Sequence, residues 1–275
     1  MSAVRFAPVG SEPAVEHAGL SVVVIAKNEA AHIGDCLQTV AWADEVVVLD
    51  TGSGDDTVAR ARAAGARVET AGQWPGFGLA RQEAERYATR PWVLRLDADE
   101  RVSPELATSI REVVSRDDRS VVYHACQLTW CFGRYIRHSG WYPKWVERLY
   151  PRGGARWNDA TVHEALVLAP GMRTERLRGS LVHYSYDTLR DYLEKSALTA
   201  EGWADDRARE GGHSGLARGV AHGAWTFFKM YVLRLGVLDG RAGFLLALLS
   251  AHSTFVKYAD LWLRDQPARA RETGG

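Results

Sequence analysis

The sequence predicts an α/β fold with a mainly parallel, buried sheet, followed by a helical region. Two observations lead to this prediction. The runs at 20–26 and 45–50 are apolar and β-branched at successive positions, which is typical of strands buried on both faces. Helix-length segments separate such runs, and strands that alternate with helices of about ten residues form βαβ units.

The other elements follow the same alternation. Helices are expected at about 30–40, 53–64 and 76–88, and further strands at 67–69 and 92–96. Ser53 or Asp55 is the expected N-cap of the second helix, and Gly65 is expected to end it. Ser103 as N-cap and Pro104 as first residue predict one more helix, which reaches about residue 115.

The remaining sequence divides into two regions. Residues 121–157 are rich in Trp, Tyr and Arg and contain short β-like runs, whereas the sequence from 187 onward is helical by composition. We therefore expect a flexible lead at 1–19, an α/β domain at 20–186 and a helical extension at 187–275.

Composition and charge exclude several classes of protein. Hydrophobic residues make up 46% and charged residues 25%, as in a globular protein with a sizeable core. With 34 basic and 34 acidic residues, the formal net charge of +0 argues against a nucleic-acid partner held by bulk electrostatics. The three cysteines indicate a reducing compartment, and residues 1–19 lack a signal-peptide pattern, so a cytoplasmic location is expected.

The triplet Asp97, Ala98 and Asp99 directly follows the fourth expected strand. Residues two apart on an extended backbone point the same way, so Asp97 and Asp99 would face one ligand. Two close carboxylates repel each other unless a cation lies between them, and such oxygen ligands suit Mg²⁺ or Mn²⁺ held jointly with a diphosphate. A solvated acidic turn is the alternative, but the position after a buried strand favours the metal site.

Asp50 ends the second strand, and ligands of parallel sheets bind beyond the carboxyl ends of the strands. The tetrapeptide from Asp50 to Ser53 also occurs at aspartic protease sites. That chemistry needs two such carboxylates sharing a proton, whereas this sequence has one copy. Asp50 is therefore expected to belong to the same ligand site as the acids of the fourth strand.

Two carboxylates are candidates for a general base that removes a proton from an acceptor hydroxyl. Glu164 follows His163 where an acceptor side would be built, and Asp159 is the rival base. The other interpretation of Glu164 is a surface carboxylate beside a hydrogen-bonded histidine. On the third helix, Arg81 either reaches a phosphate or belongs to an exposed helix face.

The segment 225–262 mixes long apolar runs with Lys and Arg. Its longest uncharged stretch, 242–254, is too short for a transmembrane helix, which needs roughly twenty apolar residues. Amphipathic helices with aromatic and basic residues would lie in a membrane interface and favour anionic lipid. A helical lid packed on the core is the alternative, and both interpretations can hold together.

With these residues, the chain resembles family 2 glycosyltransferases of the GT-A fold, and more narrowly the lipopolysaccharide core-biosynthesis glycosyltransferases of the WaaE/KdtX type. The resemblance covers about residues 20–265. It rests on these blocks: Val24–Glu29, Val48–Ser53 with Asp56 and Thr57, Val93–Glu100, Val162–Glu164, His183–Ser185, and Gly236–Gly240 with Lys257 and Tyr258. The first three are specific for the fold and the donor half, and the others point to the subgroup.

The resemblance implies a Rossmann-like, nucleotide-sugar-binding mixed sheet flanked by helices, with a C-terminal helical extension. Residues 20–100 would form the donor-binding half and 101–186 the acceptor half. The implied reaction is an inverting transfer of a sugar, expected to be glucose from UDP-glucose, to a heptose of the lipopolysaccharide inner core. That acceptor is a lipid-linked saccharide, so the protein would be peripheral at the inner face of the plasma membrane.

Individual residues take the following implied roles. The donor would be bound by Ala26, Asn28, Glu29, Asp50, Arg81 and Asp97, the Mg²⁺ or Mn²⁺ by Asp97 and Asp99, and the acceptor by Trp141 and His163, with Glu164 or Asp159 as base. Thr51 departs from the family pattern, because many relatives carry a second acid after the strand-end Asp. Two other classes remain as alternatives, a nucleotidyltransferase and a non-catalytic, membrane-associated nucleotide-binding protein.

Overall fold

The computed structural model describes residues 18–72, 76–159, 165–186, 188–211 and 215–264. Its strands are β1 Leu20–Ala26, β2 Glu45–Asp50, β3 Arg67–Thr70, β4 Trp92–Asp97, β5 Glu100–Val102, β6 Val121–Cys131, β7 Arg134–Tyr135, β8 Lys144–Pro151, β9 Ala155–Trp157, β10 Leu166–Leu168 and β11 Arg173–Tyr186. Its α-helices are α1 Ile33–Gln38, α2 Thr57–Ala63, α3 Phe77–Arg86, α4 Pro104–Arg116, α5 Leu189–Arg209, α6 Leu216–Phe228 and α7 Gly240–Arg264. A π-helix at Lys229–Leu233 and a 3₁₀-helix at Gly236–Asp239 lie between α6 and α7.

One sheet of nine strands organises the α/β part, in the order β3-β2-β1-β4-β8-β6-β11-β5, with β7 paired to β6. Strands β3, β2, β1 and β4 are parallel, as the alternation with helices predicts. The expectation of a mainly parallel sheet is wrong for the rest, where β8 and β5 pair antiparallel with their neighbours. The chain passes from β6 through β7 into β8 without a helix, which permits antiparallel pairing. The mixed sheet flanked by helices, and the helices that follow it, are the fold that the resemblance implies.

Strand β1 is buried on both faces, as its continuous apolar run predicts. Val22 and Val24 belong to one core cluster together with Ile110 of α4. Val23 belongs to a second cluster together with Leu49 of β2. Packing on both sides fixes the strand, and with it the polar residues that follow its carboxyl end.

The N-caps of α2 and α4 can be compared with those predicted from the sequence. Ser103 is the N-cap of α4 as predicted, and its hydroxyl accepts a hydrogen bond from the first turn of the helix. For α2 the prediction is wrong, because the N-cap is Asp56. Ser53 accepts a hydrogen bond from a backbone N–H of the loop after β1 at 2.9 Å. Asp55 accepts one from the same loop at 3.1 Å, and one from the N–H of Thr57 at the start of α2 at 3.0 Å.

The chain divides into two compact units. The first comprises the described residues of Met1–Leu128 and Lys144–His183, and the second those of Thr129–Pro143 and Tyr184–Gly275. The second unit has a core of its own, to which the following buried residues contribute: Cys131, Ile136, Tyr192, Ala242 and Leu246. Of the helices in the described ranges, none combines the length and the apolar character needed to cross a membrane.

A buried carboxylate organises part of the second unit. Asp239, which is 2% exposed, accepts hydrogen bonds from the N–H groups of Arg137 at 3.2 Å and His138 at 2.9 Å. The 3₁₀-helix and α7 meet through backbone, since a Cβ on Gly243 would lie 2.0 Å from the carbonyl oxygen of Gly236. The segment 236–243 is therefore held both by side-chain hydrogen bonds and by close backbone packing.

Candidate active site

The carboxyl ends of β1 and β2 lie side by side. Ala26 and Asp50 are partners in the parallel register, and the N–H of Thr51 donates to the carbonyl of Ala26 at 2.9 Å. Asp50 is buried and accepts hydrogen bonds from the N–H groups of Gly52 and Ser53, each at 3.2 Å. Two of the residues predicted to bind a donor are thus brought together.

The loop after β1 is tied to the loop after β2. Asn28 has a left-handed backbone conformation with φ of 56°, and its Oδ1 accepts a hydrogen bond from the N–H of Gly54 at 2.8 Å. The N–H of Glu29 donates to Oγ1 of Thr57 at 2.8 Å. Asn28 and Glu29 are therefore held in place beside Asp50.

Asp97, the last residue of β4, lies among three arginines. Its carboxylate binds Arg95, and it lies 3.5 Å from Nη2 of Arg148 and 3.6 Å from Nη2 of Arg81. Burial by itself would raise the pKa of Asp97, but the charges of Arg95, Arg148 and Arg81 outweigh burial and hold that pKa below its ordinary value. Asp97 therefore stays ionised at neutral pH and draws the three guanidinium groups together.

Asp99 has a different neighbour, because it lies in the turn between β4 and β5 and not on an extended strand. Its Oδ2 lies 3.2 Å from Nε2 of His183. His183 comes from β11, where it stands opposite Glu100 of β5 in antiparallel register. Burial opposes protonation of His183, but the hydrogen bond and charge of Asp99 prevail and raise the pKa of the imidazole.

Sequence reasoning assigned no role to His183. The residue lies in a block that carries the family resemblance, but nothing in the local sequence indicates a contact with Asp99. The pairing of β11 with β5, which brings the two residues together, is a long-range feature that periodicity does not reveal.

Trp157 on β9 supports two of the arginines. The guanidinium carbons of Arg81 and Arg95 lie 4.6 and 5.4 Å from a ring centroid of Trp157, within the range of cation–π attraction. The indole N–H donates to Oε1 of Glu85 at 2.8 Å, and the hydroxyl of Tyr150 donates to the same oxygen. Because both arginines are buried, packing rather than solvent sets their positions.

Burial raises the pKa of Glu85, although Tyr150 and Trp157 donate hydrogen bonds to its carboxylate. Such a group destabilises the fold once it is ionised. This destabilisation is absent below the ordinary pKa of 4.5 and grows as the pH rises through the higher folded-state value. We expect Glu85→Gln to become progressively more stable than the wild type as the pH rises from about 4 to about 7.

Urea unfolding at a series of pH values measures this difference. Glutamine preserves the two hydrogen bonds because both go to Oε1. The exposed Glu201 supplies the matched control, and Glu201→Gln should show no comparable trend. A stability difference for Glu85→Gln that stays constant with pH would contradict the prediction.

Glu100 and Arg148 form a buried ion pair behind the turn. Glu100 is 0% exposed, and its Oε1 and Oε2 bind Nη2 and Nε of Arg148 at 2.7 and 3.2 Å. Gln127 and the N–H of Asp97 donate to the same two oxygens, at 3.1 and 3.0 Å. This bidentate pair connects β5 to β8 and fixes the turn that carries Asp97 and Asp99.

The remaining candidate residues lie elsewhere. Asp159 is in an exposed position, with its side chain 69% accessible, and its Oδ1 accepts a hydrogen bond from Gln82 at 2.8 Å. Glu164 and His163 lie outside the described residues. Trp141 belongs to the second unit, where it packs against that unit's core.

Within the described ranges, no group of three or more His, Cys, Asp and Glu side chains is arranged to hold a metal ion. The contact between Asp99 and His183 nevertheless places two potential ligands together. Mg²⁺ and similar ions are commonly held by one or two protein ligands together with the phosphates of a substrate.

Comparisons with known proteins give consistent results. The model of the family described as glycosyl transferase family 2 matches residues 21–174. An uncharacterized glycosyltransferase of Rickettsia felis is 28% identical over 258 residues, which cover 88% of this chain and 89% of the relative. The lipopolysaccharide core biosynthesis glycosyltransferase LpsC of Rhizobium meliloti is 26% identical over 256 residues, which cover 89% and 92%.

The match to solved structures covers a smaller part of the chain. Glucosyl-3-phosphoglycerate synthase of Mycobacterium tuberculosis, crystallised with Mn²⁺, UDP and glucosyl-3-phosphoglycerate, is 27% identical with a TM-score of 0.35. The match covers 41% of this chain and 44% of that chain, so this chain spans less than half the length of the synthase.

Proposed function

We propose, from the premise that the chain belongs to glycosyl transferase family 2, that it moves glucose from UDP-glucose to the lipopolysaccharide inner core. The chain is a glycosyltransferase with the GT-A fold of that family. The relative from Rhizobium meliloti, matched over 92% of its length, is named for lipopolysaccharide core biosynthesis, which supports the acceptor class.

The observation that carries the proposal is the convergence of Arg81, Arg95 and Arg148 beside the turn after β4. These three guanidinium groups face the carboxylates of Asp97 and Glu100. Glu85 also interacts electrostatically with Arg95 and Arg81, while burial raises the pKa of its carboxyl group. Guanidinium groups that converge beside strand ends suit a diphosphate, which arginine binds through charge-assisted hydrogen bonds.

Asp99 and His183 are the residues that would hold the divalent metal. A carboxylate and an imidazole fit an ion that completes its coordination with diphosphate oxygens. The nitrogen ligand is softer than oxygen and favours Mn²⁺ over Mg²⁺. When bound, the ion would offset the negative charge that develops on the departing nucleoside diphosphate. Asp97, predicted from the sequence as a second ligand, turns its carboxylate toward the three arginines.

The nucleoside end of the donor is assigned to the edge formed by Ala26, Asn28, Glu29 and Asp50. Their fixed positions at the ends of β1 and β2 support this assignment, since ligands of such sheets bind there. Residues 20–100 would thus form the donor half, 101–186 the acceptor half and 187–275 the helical extension.

The proposed reaction is a single displacement with inversion. Glu164 takes the proton of an acceptor hydroxyl, the acceptor oxygen attacks the anomeric carbon, and the bond from that carbon to the diphosphate breaks. UDP leaves with the bonding electrons. Asp159 is the weaker candidate for the base, because its carboxylate already accepts a hydrogen bond from Gln82 and is widely exposed. His163 and Trp141 are assigned to the acceptor.

The acceptor is a lipid-linked saccharide, so we further propose that the protein acts in the cytoplasm and binds the inner face of the plasma membrane peripherally. The basic and aromatic character of the segment 225–262 supports a membrane contact.

Nucleotide release from a panel of nucleotide sugars, measured with inner-core oligosaccharide as acceptor, tests the proposal. We expect the highest turnover with UDP-glucose and the loss of turnover when EDTA removes divalent metal. Glu164→Gln should lower kcat by about 10²-fold, because it removes the general base, whereas Asp159→Asn should retain most of the activity.

Two results would count against the proposal. Turnover that persists in EDTA would remove the metal from the mechanism. A larger loss in Asp159→Asn than in Glu164→Gln would transfer the role of base to Asp159.

A further inference from the structure

Helix α6 packs closely on one face. Gly219 and Gly223 lie one turn apart and face α7. A Cβ on Gly219 would meet Tyr258 at 2.9 Å, and one on Gly223 would meet the carbonyl of Ala251 at 3.0 Å. Glycine at these positions therefore lets the two helices approach closely, and the opposite face of α6 is left exposed.

That opposite face is apolar. Trp225 and Phe228 lie three residues apart on it. The π-helix that follows adds the exposed Val232 and Leu233, and the segment after it adds the exposed Leu235 and Leu238. We call these six residues, which are 44 to 58% exposed, the apolar edge: Trp225, Phe228, Val232, Leu233, Leu235 and Leu238. Exposed large apolar side chains concentrated in one segment mark a candidate interaction site.

The chain around the apolar edge is strongly basic. Between residues 216 and 259, the sequence contains a single acid, Asp239, and five basic residues: Arg218, Lys229, Arg234, Arg241 and Lys257. Asp239 is buried and accepts hydrogen bonds from backbone N–H groups, so it does not offset this charge at the surface. Lys229, Arg234 and Arg241 are exposed and are interleaved with or adjacent to the apolar edge in sequence.

We propose that the apolar edge inserts into the interface of an anionic lipid bilayer while Lys229, Arg234 and Arg241 bind the lipid phosphates. This assignment rests on the peripheral membrane contact of the proposed function and gives that contact a defined surface and lipid charge. Aromatic and aliphatic side chains bury their apolar groups at the boundary between headgroups and acyl chains. Each basic residue near an anionic surface strengthens binding by about fivefold.

A second copy of the chain fits this surface less well. A two-fold dimer brings the same patch of both subunits together. Lys229, Arg234 and Arg241 of one subunit would then meet the same cations of the other, with no exposed acid between residues 216 and 259 to offset them. Like charges brought together in this way oppose association.

Co-flotation of the full chain with phosphatidylcholine vesicles, with and without phosphatidylglycerol, tests the proposal. The double variant Leu233→Asp/Leu238→Asp removes two leucines of the apolar edge. The matched variant Leu198→Asp/Leu263→Asp makes the same change at two other exposed leucines, which are 70 and 62% accessible. We expect wild type and matched control to bind the phosphatidylglycerol vesicles in a salt-sensitive manner, and the apolar-edge variant to bind about a hundredfold more weakly.

Three outcomes would overturn the proposal: a wild type that does not float with anionic vesicles, an equal loss in both double variants, or lipid-free self-association that only the apolar-edge variant loses. Titration with UDP and Mn²⁺ separates this proposal from the proposed function. An apolar-edge variant that binds UDP normally but no longer binds vesicles supports the membrane surface. A wild type that binds vesicles but not UDP would contradict the glycosyl-transfer mechanism and not the membrane surface.

Discussion

Replacing Asp99 by Ala should lower kcat/KM for nucleotide-sugar turnover by about 10³-fold and remove the metal-dependent part of UDP binding. Asp99 and His183 are the pair of metal-ligand side chains that the described contacts bring together at this turn, at 3.2 Å. Loss of the carboxylate leaves one protein ligand, which is too few to compete with water for a hard divalent ion. Calorimetric titration with UDP, in the presence and absence of Mn²⁺, measures the effect directly.

The histidine provides an independent test of the same site. His183→Ala should reduce Mn²⁺-dependent UDP affinity in the same way as Asp99→Ala, whereas His252→Ala changes an exposed histidine of α7 and should have no effect. For the carboxylate, Asp35→Ala is the matched control, because Asp35 has a side chain that is 74% exposed. If the Asp99 and His183 variants bind UDP with the metal dependence of the wild type, the metal site lies elsewhere.

Replacing Arg148 by Met should lower the free energy of unfolding by about 3–5 kcal/mol, because it leaves the fully buried Glu100 carboxylate without its counter-charge. Arg178→Met is the matched control. Arg178 forms its ion pair with Glu112 at the surface, where both side chains are more than half exposed, and such pairs contribute about 0–1 kcal/mol. Urea denaturation of the three proteins measures the difference.

A second substitution separates buried charge from lost packing. In Arg148→Met/Glu100→Gln the uncharged carboxamide replaces the isolated carboxylate, so part of the stability should return. If the double variant is no more stable than Arg148→Met, the loss of stability comes from lost packing and not from the buried charge. An Arg148→Met protein as stable as Arg178→Met would show that Glu100 finds another counter-charge, and both results would contradict the prediction.

The edge of the sheet to which a donor is assigned could be located from the sequence, because parallel strands end there. Continuous apolar runs locate β1, β2 and β4, and in a parallel sheet the ends of such strands meet at one edge. Asp50 follows from that rule, whereas Ala26 and Asn28 follow from the family resemblance. The rule that residues two apart on a strand point the same way was less useful for Asp97 and Asp99. It assumes an extended backbone, whereas Asp99 lies in a turn.

The contacts that shape the site chemically could not be predicted, because they join distant parts of the sequence. His183 reaches Asp99 only through the antiparallel pairing of β11 with β5. Trp157 meets Glu85 through the packing of β9 on α3. Neither contact produces a periodic pattern in the sequence. Strand β9 has only three residues, which is too few for the sequence to locate it.

The helical extension shows the same division. Its helices follow from composition, and the block 236–240 carries the family resemblance. The reason for an acid in that block, however, appears only in the structure, where Asp239 binds the N–H groups of Arg137 and His138. Arg137 and His138 lie about a hundred residues away in the sequence. The residues around Asp239 therefore give no sign that a hydrogen-bond acceptor is needed there.

The backbone contact between Gly236 and Gly243 has a thermodynamic consequence for adsorption. A disordered anchor loses conformational entropy when it orders on a lipid surface, and that loss weakens its binding. Here the turn that carries Leu235 and Leu238 is already ordered by close packing and by Asp239. The free energy gained by burying these leucines would then have to offset mainly the lost translational and rotational entropy of the protein. A small apolar area could therefore support reversible attachment.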